Sequence, residues 1–522
     1  MFFSARGDSL VIDEKVHIPA GYLHVWQGDY TFNTEHPPLL NDLAGLFAKI
    51  AKPNLPEEKM ANFNGGDQWE YGDLFFYKSG NNVEKIIFWA RLPFIFLTLG
   101  LIYLVYLWAK TLFGPKAGLL AAVLTAFSPN ILAHGHLATT DIGVTFFFVL
   151  TCWLLRKYFL KPTWGNAALL GLSLGLVLLA KFSGLVVLPI IFLGLIYLWF
   201  LKKPKLLPAL GQFLMIILIP LILLWLLYAF SLRGELTNLP PVYELSKTLG
   251  YHTISHPYSR WLLIPFDKFI QGLEILSDHN ASGHWAYLNG QISTSGWWYY
   301  FPLVLWYKLT ITEIILFALS IFFGWRFLKK TDGWFEGFLL IFPPLLYLGI
   351  SMIGKIDIGI RHVLPILPFF YILISRMIQN RHLILKPIII LLVIGQILIG
   401  LLAFPNYLAY FNQIAGGAKG GIKHLADSNL DWNQNMKRFQ KYAREHHLQK
   451  VYELCWDSDS FTYYGIENEI LPNTPVKGVV VICAQQLKVT PEGFDISWVT
   501  NPPTGGPADE VVANGIYVWR FK

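Results

Sequence analysis

Acidic and histidine residues cluster in a polar segment ahead of the first long apolar run. The segment carries Asp13-Glu14, then His17, and later Glu35-His36 followed by two prolines. A carboxylate within reach of a substrate hydroxyl can act as a general base. Asp13 and His17, four residues apart, would share a helix face and could bind a metal. The same acids, taken alone, could simply be solvated, and the prolines could begin a helix.

Four further polar groups interrupt the apolar sequence downstream. They are the turn 134–141, the segment Lys181-Phe-Ser-Gly184, the stretch 278–290 with His279, His284 and Tyr287, and the segment 357–362 with Arg361. Asp141 could cap the next helix, and Lys181 could extend its ammonium to the membrane surface. A carboxylate at the edge of a span is nevertheless a candidate functional residue. Together these carboxylates, histidines and cations suit an anionic lipid substrate.

About ten apolar runs separate these polar groups. The 522 residues are 54% hydrophobic and 14% charged, with a mean hydropathy of +0.44, whereas soluble chains average about 25% charged residues. A bilayer core needs about 20 apolar residues per helix. The runs lie near 87–109, 117–133, 141–158, 165–181, 184–201, 208–230, 301–326, 336–353, 362–378 and 384–404. We therefore predict an α-helical polytopic membrane protein.

The basic residues alternate from one connection to the next. The net charge is +7, and basic residues concentrate in every second connection: Lys110 and Lys116; Arg156, Lys157 and Lys161; Lys202, Lys203 and Lys205; Arg326, Lys329 and Lys330; Arg376, Arg381 and Lys386. This positive-inside pattern places those loops in the cytoplasm. The excess charge then orients the protein, and it does not call for a nucleic-acid partner.

This orientation divides the chain into three predicted regions. Residues 1–86 form a first extracytoplasmic loop, residues 87–404 form the transmembrane domain with an outside loop at 231–300, and residues 405–522 form an extracytoplasmic α/β domain. In the last region we predict a helix near 430–447 and strands at Val451–Trp456, Val479–Ala484 and Gly515–Phe521. A disulfide between Cys455 and Cys483 is one option outside the cytoplasm, although the sequence does not fix it.

The first twelve residues are too short and too polar for a signal peptide or a span. Because an outside segment of about 86 residues needs something to carry it across, we expect a transmembrane helix to be missing before Asp13. Met1-Phe2-Phe3 would then be the last turn of that helix.

The ordered motifs resemble those of a known superfamily. Asp13-Glu14 with His-Ile-Pro-Ala-Gly-Tyr, followed by Glu35-His-Pro-Pro-Leu, resembles the first extracytoplasmic loop of the protein O-mannosyltransferase-like glycosyltransferases, which have the GT-C fold and include the aminoarabinose transferases. Thr140-Asp141, Lys181-Phe-Ser and Gly359-Ile-Arg361-His-Val-Leu-Pro are similar to later positions. The stretches 406–412 and 427–432 resemble the tail of bacterial members. Members of this superfamily begin with a transmembrane helix before the Asp-Glu pair, which agrees with the expected missing helix.

The resemblance implies transfer of a sugar from a polyprenyl-phosphate donor to an acceptor outside the cytoplasm, at the plasma (inner) membrane. It implies that Asp13 is the general base and that Asp141 assists it. We predict substrate-binding roles for five more residues: Glu14, His36, Lys181, Arg361 and Tyr287. In some relatives the acid corresponding to Glu35 binds a divalent metal, here with His279 or His284 as partner, so a metal is the one cofactor implied. His36 stands where aminoarabinose transferases have Lys, which argues against that donor.

The expected partners are a polyprenyl-phosphate-linked sugar, a protein, lipid or glycan acceptor, and membrane lipids, with no nucleic acid. Two other functions stay open. Transporters place polar groups at mid-membrane and show paired repeats, whereas the polar groups here lie at the edge of the apolar runs. An inactive GT-C scaffold that acts as a binding or assembly protein is also compatible with the sequence, since no motif proves activity.

Overall fold

The computed structural model describes residues 1–56, 67–237, 242–250, 252–254, 256–324, 333–379, 385–501 and 505–522. The N-terminal region contains α1 (Phe2–Gly7), α2 (Ile12–Gln27), α3 (Pro38–Ala48) and α4 (Gln68–Asp73). Helices α2 and α3 pack closely because a Cβ on Gly21 or Gly45 would collide with the backbone of the other helix. The region predicted as a loop is therefore largely a helical hairpin. Its α2 helix carries Asp13 in the first turn.

The first half of the membrane domain is a series of apolar helices. They are α5 (Val83–Phe113), α6 (Pro115–Ala126), α7 (Pro129–His134), α8 (Thr140–Leu160), α9 (Trp164–Ala180), α10 (Val187–Lys202) and α11 (Leu206–Ser231). The second half contains α12 (Arg233–Thr237), β1 (Tyr243–Glu244), β2 (Thr253–Ile254), α13 (Pro257–Ser282), β3 (Ala286–Leu288), β4 (Gln291–Ser293), α14 (Tyr300–Lys308), α15 (Ile311–Gly324), α16 (Gly333–Ile353), α17 (Leu367–Ser375) and α18 (Leu385–Leu402). The pairs β1–β2 and β3–β4 are antiparallel.

Where the structure describes them, the predicted apolar runs are largely helical, although the runs 117–133 and 301–326 are each divided between two helices. The chain is a multi-pass membrane protein. Among the described residues, six helices are long and apolar enough to cross a membrane, and the pair Tyr300–Lys308 and Ile311–Phe322, bent by 113°, makes up to seven. Three predicted runs are shorter helices, Pro115–Ala126, Trp164–Ala180 and Lys386–Leu402. Length and composition thus support six or seven spans where the sequence predicted about ten. The basic residues Arg326, Lys329, Lys330 and Arg381 lie outside the described residues.

The C-terminal region contains a five-stranded sheet. Its elements are α19 (Gly417–Gly420), α20 (Met436–Glu445), β5 (Lys450–Leu454), α21 (Ser458–Tyr463), β6 (Glu467–Ile470), β7 (Gly478–Cys483), α22 (Ala484–Lys488), α23 (Ser497–Thr500), β8 (Glu510–Val512) and β9 (Ile516–Phe521). The strand order is β6-β5-β7-β9-β8; β6, β5 and β7 are parallel, and β9 is antiparallel to both of its neighbours. The three predicted strands and the predicted helix are present. Cys455 and Cys483 form a disulfide.

The segment between the last span and the sheet packs against the membrane helices. Phe411 and Leu430 belong to the hydrophobic core of the membrane domain, whereas the core between α20 and the sheet begins at Met436. The buried ammonium of Lys308 donates to the carbonyls of Leu408 and Asn429, both at 2.7 Å. The α/β region is therefore joined to the membrane helices by a buried, hydrogen-bonded segment.

Candidate active site

Four of the predicted site residues meet at one cluster of charges. The Arg361 Nη1 atom lies 2.5 Å from Asp13 Oδ2 and 4.0 Å from Asp141 Oδ2. The Lys181 ammonium donates to the other oxygen of Asp141 at 2.7 Å. These residues come from α2, from the first turn of α8, from the end of α9 and from the 3-10 segment Ile360–Ile366. Two carboxylates and two cations thus form one alternating network.

The two carboxylates of this network differ in their access to solvent. The Asp13 side chain is 22% exposed, whereas that of Asp141 is 1% exposed. The hydroxyl of a substrate could therefore reach Asp13 but not Asp141 in this arrangement. Both oxygens of Asp141 face cations, so this buried carboxylate fixes the positions of Lys181 and Arg361.

The C-terminal motif 427–432 contacts Arg361 and the backbone on both sides of Gly359. The guanidinium lies 4.2 Å from the ring centroid of Trp432, in a cation–π contact. Ser428 Oγ donates to the carbonyl on one side of Gly359 at 2.5 Å, and Asn429 Oδ1 accepts from the amide on the other side at 3.1 Å. Gly359 has a φ of +148°, and a Cβ there would collide with Ser428. The Gly-Ile-Arg motif therefore needs glycine for this close approach.

Several histidines surround the charged network. His36 is half-buried, with its ring 5.0 Å from that of His17. Burial, together with the charges of His17 and Lys181, lowers the pKa of His36 well below its usual value. His134 is completely buried 6.3 Å from the Trp432 ring, and burial lowers its pKa to about 3. Both histidines are therefore neutral near pH 7.

Some buried polar atoms of this cluster have no hydrogen-bond partner within the described ranges. They are the Nε atom of Arg361, the Nε2 atom of His362 and both ring nitrogens of His134. A buried polar group without a partner costs about 1–3 kcal/mol. The Nε–H group of Arg361 can only donate a hydrogen bond, because the arginine side chain stays protonated in proteins. The cluster therefore offers an unused donor to a ligand with acceptor oxygens.

Glu35 lies in a network of amides. Its Oε1 atom accepts from Asn33 at 3.1 Å and from Gln68 at 2.8 Å. His284 lies with its ring 5.7 Å from that of His279, and His279 is near enough to feel the charge of Glu35. In the part of the chain that the structure describes, no three His, Cys, Asp or Glu side chains are arranged to hold a metal ion. These donors do not fit a closed metal site, and metal binding by Glu35 and His284 stays a prediction.

Glu14 is placed differently from the predicted substrate-binding role. Its carboxylate and the Arg91 guanidinium are both 0% exposed, and two hydrogen bonds of 2.8 and 2.6 Å join them. The same carboxylate accepts from the backbone N–H groups of Val11 at 3.1 Å and Ala138 at 2.8 Å. Because no surface of Glu14 is open to a ligand in this structure, these contacts indicate a structural role, and substrate binding by Glu14 stays a prediction. Glu14 joins the start of α2 to α5 and to the turn before α8.

Tyr287 also lies apart from the charged network. It stands on the β3–β4 hairpin, where its hydroxyl donates to the carbonyl of Lys423 at 3.2 Å. The Lys488 ammonium lies 5.5 Å from the centre of its ring. These contacts join the hairpin to the C-terminal region, and a substrate-binding role for Tyr287 stays a prediction.

Sequence reasoning did not assign a role to Asp427 or Trp432, although both lie in a motif that carried the resemblance. The Asp427 carboxyl is buried within the electrostatic field of Arg361 and Asp13, and burial raises its pKa against the effect of Arg361. Asp427 has a φ of +57°, which is uncommon for a residue other than glycine. The run of Asp, Ser, Asn and Trp in a polar tail carries no local signal of contact with Arg361.

One stretch of the chain matches a known protein family. Residues 28–234 match the family model described as dolichyl-phosphate-mannose-protein mannosyltransferase. No curated protein sequence matches the chain.

Two structures of ArnT from Cupriavidus metallidurans, one in the apo state and one bound to undecaprenyl phosphate, are 12% and 11% identical to the chain, with TM-scores of 0.49 and 0.48; each alignment covers 99% of this chain and 95% of that one. The apo oligosaccharyltransferase of Archaeoglobus fulgidus is 15% identical with a TM-score of 0.40, covering 84% of this chain and 57% of that one. The resemblance found in the sequence is confirmed by the family model: over residues 28–234, which include Glu35, His36, Asp141 and Lys181, the chain is similar to the dolichyl-phosphate-mannose-protein mannosyltransferases.

Proposed function

We propose that this protein is a membrane glycosyltransferase that moves a sugar from a polyprenyl-phosphate donor to an acceptor outside the cytoplasm. One observation carries the proposal: a partly exposed carboxylate, Asp13, pairs with Arg361, and the buried Asp141 lies between that guanidinium and the ammonium of Lys181. The similarity to the dolichyl-phosphate-mannose-protein mannosyltransferases supports this reaction class, because the donor of that family is a lipid-phosphate sugar.

The cations suit the phosphate of the donor. The Arg361 side chain is fixed on one edge by Asp13 and stacked on Trp432, while its Nε atom has no partner among the described residues. A guanidinium with a free donor can hydrogen-bond a phosphate oxygen, and Lys181 adds a second positive charge. A lipid-linked phosphate lies at the membrane surface, which is where a site at the ends of spans can reach it.

The reaction then needs one proton acceptor and one stabilised leaving group. Asp13 accepts the proton of the acceptor hydroxyl, whose oxygen forms a bond to the anomeric carbon of the sugar as the bond from that carbon to the phosphate oxygen breaks. The polyprenyl phosphate leaves with the bonding electrons, and Arg361 and Lys181 stabilise its negative charge. Asp141 takes no proton in this scheme, because its two oxygens hold the two cations in place.

Two observations support an extracytoplasmic site. The disulfide Cys455–Cys483 lies in the α/β region, and disulfides persist in oxidising compartments outside the cytoplasm. Asn433, at the start of the C-terminal region, accepts a hydrogen bond from Ser9 and donates one to the carbonyl of Leu10, just before Asp13. The site and the disulfide therefore share one side of the membrane. The alternation of basic loops gives the same orientation.

The test is sugar transfer by membranes that contain the full chain. Labelled polyprenyl-phosphate sugars are supplied, and the parent is compared with Asp13→Asn and with Lys157→Gln, a change in a predicted cytoplasmic loop. We expect transfer by the parent and by Lys157→Gln, and a loss of about 100-fold or more in Asp13→Asn. Undiminished transfer by Asp13→Asn would refute the general base, and uptake of label into sealed vesicles without transfer would favour a transporter.

A further inference from the structure

Residues just beyond the carboxyl ends of β5 and β7 contact segments that carry residues of the candidate active site. In open α/β sheets, functional side chains gather at this edge. Strand β5 ends at Leu454 and is followed by Cys455, Trp456 and Asp457; strand β7 ends at Cys483 and is followed by Ala484 and Gln485. Asp457 and Gln485 both reach out of the sheet and contact segments that carry the residues of the site.

Gln485 contacts the segment 427–432, which supports Arg361. Its side-chain oxygen accepts from the backbone N–H of Asp427 at 2.8 Å, and both residues are buried. Asp427 adopts the left-handed φ noted above, so an external acceptor that holds its N–H stabilises an otherwise uncommon conformation. The next two residues of the chain hydrogen-bond on either side of Gly359. This hydrogen bond from the segment after β7 thus helps to hold the loop on which the position of Arg361 depends, together with the Lys308 ammonium that donates to the carbonyl of Asn429.

Asp457 contacts the helix that carries Asp13. Its Oδ1 atom lies 3.3 Å from the ammonium of Lys15, and its Oδ2 atom accepts from the Tyr77 hydroxyl at 2.8 Å. Lys15 also pairs with Asp73. The side chains of Lys15 and Asp457 are nearly completely buried. Because Lys15 stands two residues after Asp13 on α2, this ion pair ties the first turn of α2 to the C-terminal region.

The disulfide joins the two strand ends from which these residues extend. Cys455 lies two residues before Asp457, and Cys483 lies two residues before Gln485. The two contacts with the membrane domain are therefore made from one covalently closed edge. Elsewhere on β5, the exposed pair of Lys450 with Glu469 lies at the opposite, amino end of the strand.

We propose that the C-terminal α/β region is part of the catalytic apparatus, and that Gln485 and Asp457 are positioning residues for Arg361 and Asp13 respectively. The inference rests on the proposed glycosyltransferase function. Gln485 acts through the loop of Asp427 on the cation that holds the donor phosphate, so its loss affects the KM for the donor. Asp457 acts through Lys15 on the general base, so its loss affects kcat at saturating donor.

The kinetic test uses the full chain in membranes and measures kcat and the donor KM with labelled polyprenyl-phosphate sugar. We expect Gln485→Met to raise the donor KM about tenfold, because the N–H of Asp427 loses its acceptor, while kcat stays within about twofold. We expect Asp457→Asn to lower kcat about tenfold with a donor KM within about twofold of the parent. Lys450→Gln, at the far end of β5, is the matched control and should leave both parameters unchanged.

A second variant separates positioning from folding. Gln485→Glu keeps an acceptor oxygen and should keep the parental donor KM, whereas a KM as high as that of Gln485→Met would overturn the assignment. If Gln485→Met and Gln485→Glu lose folded protein equally and the remaining folded fraction keeps the parental kcat and KM, the contact is purely structural. That result would refute this inference and leave the proposed function standing. No transfer by the parent would overturn the proposed function, and this inference with it.

Discussion

Neutralising Glu14 should mainly lower the stability of the protein, whereas neutralising the adjacent Asp13 should mainly abolish sugar transfer. Glu14→Gln leaves the Arg91 guanidinium charged and completely buried without its counter-ion. Removing one partner from a buried ion pair costs about 3–5 kcal/mol, so we expect a loss of this size in the free energy of unfolding. Asp13→Asn leaves Arg361 with Asp141 as counter-ion and keeps an amide oxygen that can accept from the guanidinium, so we expect a smaller loss of stability than for Glu14→Gln.

The assay is thermal unfolding of the purified full chain in detergent, followed by tryptophan fluorescence, with transfer measured on the same samples. Glu14→Gln should unfold at a clearly lower temperature, while Asp13→Asn should unfold near the parent and lack transfer. Replacing Glu14 and Arg91 together by Met should recover part of the stability, because a buried pair is often replaceable by apolar residues. Recovery is incomplete because Arg91 also donates to three backbone carbonyls. A Glu14→Gln protein as stable as the parent would refute this account of Glu14.

Three further predictions concern other residues. Arg361→Lys keeps the charge but loses the planar fork and the stacking on Trp432, so we expect the donor kcat/KM to fall about tenfold or more; a parental value would refute the guanidinium's role. The pKa of His134 is lowered to about 3, so between pH 6.5 and 3 the unfolded chain binds a proton that the folded chain does not. Stability therefore falls as pH falls through this window, and His134→Phe should reduce that slope in unfolding measurements, whereas an unchanged slope would contradict the burial of a neutral imidazole. Changing Cys455 and Cys483 together to Ser should lower the free energy of unfolding of the α/β region by about 3 kcal/mol, and after reduction an impermeant thiol reagent should label these cysteines only from outside the cell; labelling only from the cytoplasmic face would reverse the proposed orientation.

The apolar helices and part of the site could be predicted from sequence because their signals are local. A run of apolar residues of membrane length predicts a helix without knowledge of its neighbours, and the predicted runs are largely helical within the described residues. Asp13, Asp141, Lys181 and Arg361 stood out because a charge beside an apolar run is uncommon. Strands β6 and β8 were missed because their few residues show no alternation of apolar and polar side chains.

The roles of neighbouring residues could not be separated in this way. Asp13 and Glu14 look equivalent in sequence, and only Arg91, 77 positions away from Glu14, decides which of them is buried. Trp432 likewise meets Arg361 through the docking of the C-terminal segment onto the membrane helices. Such contacts depend on tertiary packing between distant segments, for which the local pattern carries no signal.

The pairing of the start of α2 with the tail has a consequence for biosynthesis. Ser9 and Asn433 are joined by a hydrogen bond although 424 positions separate them, and Ile12 donates to the carbonyl of Trp432. Contacts of such long sequence separation form late, since the intervening chain must first be made and closed into a loop. A nascent chain halted before residue 432 would lack the support of both Arg361 and the first turn of α2. Competence for chemistry would then arise only near the end of translation, so that unfinished chains in the membrane leave the lipid-linked sugar pool untouched.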